Sequence, residues 1–140
     1  MRFLLHNSVL QRVSRSTAVA DAVRRLVDLG GNLCSSPASV LEAGYSARTS
    51  AEHDLICASL TEGFEMLPLT PDVGLESIRM QRALSAAGQG RAVGVFDLLH
   101  GACAVAHEVT LVHYDHDFEL LAELVSELRQ QWVVPRGSVD

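Results

Sequence analysis

The chain has no lysine among its 140 residues, so all 11 of its basic residues are arginines. This absence excludes every mechanism that needs a lysine side chain, including P-loop phosphate binding and Schiff-base catalysis. The formal net charge is −6, which is unfavourable for a chain that binds nucleic acid over its whole surface.

Cysteines and long apolar runs are also scarce. Cys34, Cys57 and Cys103 are odd in number and have no CxxC spacing, which favours reduced thiols over a disulfide framework. No apolar run approaches the roughly 18–20 residues of a membrane span, and the first apolar stretch is too short for a signal peptide. We therefore expect a cytoplasmic protein that makes no contact with a membrane.

Hydrophobic residues make up 48% of the chain, which is enough to build a core without disulfides or metals at this length. No linker or internal repeat interrupts the sequence. We expect one domain over residues 1–135, followed by a flexible C-terminal tail over residues 136–140, because Pro135 ends the last apolar segment.

Short apolar strand patterns alternate with helical patterns along the chain. Strands are predicted at about residues 2–5 and 33–35 and in the segments FEMLPL, VTLVHY and QWVV. Helix caps are predicted at Ser8, Ser16 or Thr17, Ser36, Thr49 and Thr70. This order predicts an α/β fold with a central, mostly parallel sheet, the first strand in its middle and helices on both faces.

Polar residues follow two of the predicted strands directly. They are His6-Asn7-Ser8 after the first strand and Asp115-His116-Asp117 after VTLVHY. Ligands of such folds bind outside the carboxyl ends of the strands. Two more acids, Glu42 and Asp97, stand inside apolar helical runs. Asp97 could instead be an acid favoured by a helix dipole, and Glu42 could lie on a solvent-facing stripe.

The order of these motifs resembles the PIN-domain nucleases and, more narrowly, the VapC-type toxins of bacterial toxin–antitoxin pairs. Members have Asp-x-Ser or Asp-x-Thr after the first strand, a Glu on an early helix, DLLIAA on a late helix and T-x-D-x-D-F after the fourth strand. The matching segments here are HNS at residues 6–8, Glu42, DLLHGA at residues 97–102 and HYDHDF at residues 113–118. The resemblance covers nearly the whole chain.

The resemblance implies a PIN-like three-layer sandwich and a divalent-metal-dependent endoribonuclease. It assigns catalysis to Glu42, Asp97 and Asp115. It assigns the metal, Mg²⁺ or Mn²⁺, to Asp97, Asp115 and Asp117, with His6 at the position of the family's first aspartate. Asn7, Ser8 and His113 would support the site. The implied partners are a small VapB-like antitoxin, an RNA substrate and a second copy of the chain in a homodimer.

His6 is the main departure from the family pattern. Two carboxylates about 4 Å apart repel by roughly 4 kcal/mol at an effective dielectric constant of 20, so a shared acidic pocket calls for a cation. Imidazole can bind Mn²⁺ but is a poor ligand for Mg²⁺, and a protonated His6 could itself pair with Asp97 or Asp115. We therefore expect impaired activity. The alternative is a nuclease-dead protein that still captures an antitoxin or RNA.

Three other classes fit less well. A receiver domain needs a late lysine, and a haloacid-dehalogenase-type phosphatase needs Asp-x-Asp where this chain has His6-Asn7-Ser8. A zinc site could be built from His100, Cys103 and His107, which share one helix face. That helix is apolar, however, so Cys103 is expected in the core.

Overall fold

The computed structural model describes all 140 residues and contains one five-stranded sheet. Its strands are β1 (Arg2–Leu5), β2 (Asn32–Ser35), β3 (Glu65–Met66), β4 (Thr110–His113) and β5 (Gln130–Trp132), in the spatial order β3-β2-β1-β4-β5. All four pairings between neighbouring strands are parallel. The predicted fold class is confirmed, including the central place of the first strand.

Seven helices connect the strands. They are α1 (Asn7–Val13), α2 (Thr17–Asp28), α3 (Pro37–Gly44), α4 (Ser50–Thr61), α5 (Pro71–Ala86), α6 (Val95–Ala106) and α7 (Asp117–Leu124). The side chains of Ser16, Ser36, Thr49 and Thr70 each accept a backbone N–H at a helix start, as predicted. None of the seven helices combines the length and the apolar character needed to cross a membrane.

The sheet separates two hydrophobic layers, because successive side chains of a strand point to opposite faces. Leu4 faces a core of 17 buried residues that includes Met80 of α5, Leu98 of α6 and Phe118 of α7. Phe3 and Leu5 face a smaller core of 7 buried residues against α1 and α2. The three layers place α6 and α7 on one face and α1 on the other, so elements from both faces meet at the carboxyl edge of β1.

The first helix begins earlier than predicted. His6, and not Ser8, is the N-cap of α1: its Nδ1 accepts the backbone N–H of Ser8 at 3.1 Å. The backbone N–H of His6 still donates to the carbonyl of Val112 at 2.9 Å. His6 is therefore the last residue bonded to the sheet and also the first capping residue, which leaves Ser8 inside the helix and free for another contact.

The C-terminal segment lies against the domain. The hydroxyl of Tyr114 accepts the backbone N–H groups of Gly137 at 2.9 Å and Val139 at 3.2 Å, and Arg12 Nε donates to the carbonyl of Asp140 at 2.6 Å. The sequence does not indicate these contacts. The domain boundary at residue 135 and the flexibility of residues 136–140 stay predictions.

Candidate active site

The predicted site residues lie at the carboxyl edge of the sheet. His6 follows β1, Asp115 follows β4, Glu42 stands on α3, and Asp97 is in the first turn of α6. Because β1 and β4 are parallel neighbours, the chain returns twice to the same edge, and α3 and α6 each direct one carboxylate toward it.

One cluster joins His6, Glu42, Asp97 and His100, whose ligand atoms all lie within 4.8 Å of one another. His6 Nε2 is 2.9 Å from Asp97 Oδ1 and 3.8 Å from Glu42 Oε1. His100 Nε2 is 3.4 Å from Glu42 Oε2. Each imidazole thus contacts one carboxylate closely.

The hydrogen bonds of His6 define its tautomer. A backbone N–H can only donate, so the contact from Ser8 N makes His6 Nδ1 an acceptor. The ring proton of neutral His6 is then on Nε2, which donates to Asp97. The hydroxyl of Ser8 is 2.8 Å from the same Nδ1 and also accepts the backbone N–H of Tyr114 at 2.8 Å. Ser8, predicted as a supporting residue, thereby ties the His6 ring to the segment after β4.

Both imidazoles of the cluster stabilise the ionised form of Glu42. The hydrogen bond from His100 is the main cause that lowers the pKa of Glu42, against an opposing effect of burial. The neighbouring Asp97 carboxylate has the weaker effect of raising the pKa of Glu42. Repulsion between the two carboxylates is therefore offset by groups of this chain alone.

Asp115 and Asp117 belong to a second cluster with His116, beside the first one. Asp115 Oδ1 accepts the backbone N–H of Asp117 at 3.0 Å, so Asp115 supports the start of α7. Burial, followed by repulsion from Asp115, raises the pKa of Asp117. The residues predicted to share one metal site are therefore divided between two groups.

His113 lies under this second cluster and is fully buried. Its Nδ1 accepts the backbone N–H of Asp115 at 3.1 Å, and its Nε2 contacts Gln130 Oε1 at 2.6 Å. His113 is thus hydrogen-bonded to the backbone of the loop that carries Asp115, and its role in supporting the site stays a prediction. Asn7, the other predicted supporting residue, lines a cavity beside Glu42.

The sequence interpretation missed His100 as a residue of this cluster. Its signal in the sequence is a histidine within DLLHGA where the family has isoleucine. The only site that the sequence offers for it is the zinc set with Cys103 and His107. That set does not assemble, because Cys103 is buried in the core and His107 Nε2 donates to the carbonyl of Pro68 at 2.9 Å. His100 contacts Glu42 instead.

The donor atoms fit a divalent ion in general better than they fit Mg²⁺. Mg²⁺ takes oxygen ligands in near-octahedral geometry, whereas this cluster offers two nitrogens beside its two carboxylates. His6 Nε2 also occupies the side of Asp97 that faces Glu42. Glu42 and Asp97, with either imidazole, are the groups that would hold an ion.

The buried His113 predicts how stability depends on pH. Burial lowers the pKa of His113 below its ordinary value of 6.5. Below pH 6.5 the unfolded chain therefore binds more protons at His113 than the folded chain does. The free energy of unfolding consequently falls as the pH decreases from 6.5. Above pH 6.5 His113 does not affect it. We expect His113→Thr to flatten this decline. Urea midpoints measured at pH 7.5 and 5.5 check it, and equal declines in both proteins would contradict it.

A parallel sheet with carboxylates from α3, from α6 and from the segment after β4 at its carboxyl edge is the arrangement of a PIN domain. The family described as PIN domain matches residues 7–124 of the chain. The chain belongs to this family.

Within the family, the chain is of the VapC type. It is 34% identical over 140 residues to Ribonuclease VapC51 of Mycobacterium tuberculosis, covering 100% of this chain and 98% of that protein. It is 30% identical over 137 residues to Ribonuclease VapC21 of the same species, covering 98% and 97%. The resemblance stated from the sequence is confirmed.

Solved structures share the fold. VapBC2 from Rickettsia felis, bound to a promoter DNA fragment, gives a TM-score of 0.76 at 15% identity and covers 94% of this chain and 98% of that chain. VapBC-5 from Mycobacterium tuberculosis, a member of the VapBC family of toxin–antitoxin systems, gives 0.64 at 18% identity and covers 94% and 96%.

Proposed function

We propose that this chain is the toxin of a toxin–antitoxin pair, an endoribonuclease that hydrolyses RNA phosphodiester bonds with the help of a divalent ion. The observation that carries the proposal is the convergence of Glu42 and Asp97, from α3 and α6, within 4.8 Å at the carboxyl edge of β1. The relatives named ribonucleases support the reaction class and do not favour the nuclease-dead alternative. With RNA as the proposed substrate, we expect the chain to act in the cytoplasm.

A bound divalent ion supplies positive charge for the substrate phosphate and lowers the pKa of a water molecule. The residues of the chain supply the rest. Glu42, whose pKa is lowered by His100, is ionised at neutral pH and can accept a proton from an attacking water. Asp97 already accepts the Nε2 proton of His6, which weakens its hold on Mg²⁺, an ion that imidazole nitrogen binds poorly. This contact is the physical reason for the impaired activity that we propose.

The proposal is tested by the loss of cleavage when Asp97 is neutralised. We expect the unmodified chain to cleave RNA slowly, with EDTA stopping the reaction, and Asp97→Asn to lower the rate by at least about tenfold. Gel-based cleavage of total RNA measures both rates. Asp21→Asn, on the exposed face of α2, is the matched control. Equal rates for Asp97→Asn and the unmodified chain would contradict the proposal.

The chain has a surface beside the site that suits the proposed antitoxin. Helices α1–α4 border a largely apolar cavity of about 450 Å³ with Glu42 at its rim, lined among others by Leu10, Val13, Ile56, Leu60 and Phe64. Apolar side chains of an antitoxin would fill this cavity, and an arginine of its tail would reach Glu42 and Asp97. The complexes among the structural neighbours support such a partner.

We also propose a homodimer formed through helix faces of the first half. Leu41 and Tyr45, at the end of α3, are 60% and 93% exposed, and Leu55 on α4 is 72% exposed. Light scattering should give about twice the 15.1 kDa mass of one chain, and the double substitution Leu41→Glu/Tyr45→Glu should give a monomer. Leu29→Glu, on the exposed end of α2, is the control. A monomeric unmodified chain at micromolar concentration would contradict this.

A further inference from the structure

The cluster around Glu42 contains two buried imidazoles that the family pattern does not have at these positions. His6 and His100 are 4% and 0% exposed, and their rings meet edge to face at a centroid distance of 4.9 Å. We propose that His6, His100, Glu42 and Asp97 form a binding site for a first-row transition ion such as Zn²⁺, and that this site discriminates against Mg²⁺.

The spacing of the donor atoms suits such an ion. Ligands about 2.0–2.1 Å from a tetrahedral zinc ion are about 3.3 Å apart. The three close separations here are 2.9 Å for His6 Nε2 to Asp97, 3.4 Å for His100 Nε2 to Glu42 and 3.8 Å for His6 Nε2 to Glu42. These distances lie on both sides of the tetrahedral value, and the remaining ligand pairs of the cluster lie within 4.8 Å, so one ion would draw the four side chains closer together.

His100 gives an independent reason to place a ligand here. It is fully buried on α6, and its Nδ1 has no hydrogen-bond partner. A buried polar atom without a partner is unfavourable for folding, and the family's isoleucine would fill the position without that cost. The only polar contact of the ring is Nε2 with Glu42. The polar interaction of His100 is therefore directed at the carboxylate cluster through Nε2, the atom that would bind an ion.

The ligand chemistry decides which ion binds. Neutral imidazole suits Zn²⁺, Co²⁺ and Ni²⁺, whereas carboxylate, carbonyl and water oxygens suit Mg²⁺. Coordination by His6 Nε2 requires the ring proton to move from Nε2 to Nδ1. The ion then replaces the Nε2 contact with Asp97, and the hydroxyl of Ser8, 2.8 Å from Nδ1, accepts the proton in place of the bond from the Ser8 backbone N–H. The side chains of Asp97 and Glu42 are 19% and 25% exposed, which gives an ion a route from solvent.

This inference deepens the proposed function and rests on it only for the identity of the active site. Ion binding is measured without RNA, so the two ideas fail separately. A chain that binds Zn²⁺ at these residues but never cleaves RNA would contradict the proposed function alone. A chain that cleaves RNA but binds Zn²⁺ no better than Mg²⁺ would contradict this inference alone.

Isothermal titration of the purified, metal-free chain with ZnCl₂ and with MgCl₂ tests the selectivity, and the visible spectrum of the Co²⁺-loaded chain reports the ligands. We expect Zn²⁺ to bind at least about 100-fold more tightly than Mg²⁺. We expect His6→Asn and His100→Leu each to weaken Zn²⁺ binding by at least about tenfold. The Co²⁺ spectrum of the unmodified chain needs no variant and should show nitrogen and oxygen ligands without a thiolate band.

Two control variants remove the other groups that attract such ions. His116→Ala removes the exposed imidazole of the second cluster, and Cys57→Ser removes the thiol that lies 3.5 Å from His53 Nδ1. Both should leave Zn²⁺ affinity unchanged. Loss of binding in a control variant but not in His6→Asn or His100→Leu would overturn the proposal, as would equal affinities for Zn²⁺ and Mg²⁺ in the unmodified chain.

Discussion

Replacing His6 by aspartate is expected to raise Mg²⁺-dependent RNA cleavage by about 100-fold or more. The substitution removes the imidazole that donates to Asp97 and puts two anionic oxygens at the end of β1. Asp97 is then free to share an ion with the new carboxylate, while Glu42 remains ionised beside them. Initial rates on the same RNA at matched Mg²⁺ measure the effect.

The helix that follows His6 should tolerate this change. His6 caps α1 by accepting the backbone N–H of Ser8, and aspartate is among the preferred residues at an N-cap. The new carboxylate adds repulsion to Glu42 and Asp97, so the metal-free variant should be less stable than the unmodified chain. Mg²⁺ should raise the melting temperature of His6→Asp, because an ion that binds only the folded state stabilises it.

The controls separate charge from shape. His6→Asn also removes the imidazole but adds no negative charge, so it should not restore cleavage. Asp97→Ala in the His6→Asp background should abolish the restored cleavage, whereas Asp117→Ala should cost less. If the unmodified chain and His6→Asp cleave equally well at matched Mg²⁺, the first position is dispensable and the site is misassigned.

Antitoxin affinity should fall by about 100-fold when Glu42, Asp97 and Asp115 are all replaced by alanine. The three carboxylates are the anionic groups that an inserted arginine would meet, and truncating one side of a buried, hydrogen-bonded charge pair costs about 2–5 kcal/mol. Surface plasmon resonance with purified candidate antitoxins measures the dissociation constant. The effect should appear mainly as faster dissociation.

A matched variant tests whether net charge alone explains that loss. Asp28, Asp54 and Glu123 are exposed and lie on α2, α4 and α7. Replacing these three by alanine changes the net charge by the same amount and should leave the affinity almost unchanged. An antitoxin that binds the active-site triple variant as tightly as the unmodified chain would show that its tail does not engage the carboxylates.

The sequence alone was sufficient for the architecture, because the relevant signals are local. Apolar runs of four residues, Ser and Thr caps, and prolines at the first helical position each depend on near neighbours, and the strands and helices they predict are present. The alternation of strands and helices then requires parallel crossovers, which bring the ends of β1 and β4 to one edge. The family and the positions of Glu42, Asp97 and Asp115 near that edge followed from the same order of motifs.

Only the tertiary structure decided which side chains meet. The pairing of His6 with Asp97 joins residues 91 positions apart, and that of His100 with Glu42 joins residues 58 apart, so neither contact leaves a local pattern. The division of the acids into two clusters depends on how α6 and the loop after β4 approach the sheet. In the sequence His100 stands on an apolar helix face, and it is a site residue because the packing of α6 against α3 and β4 turns that part of the face toward Glu42 and away from solvent.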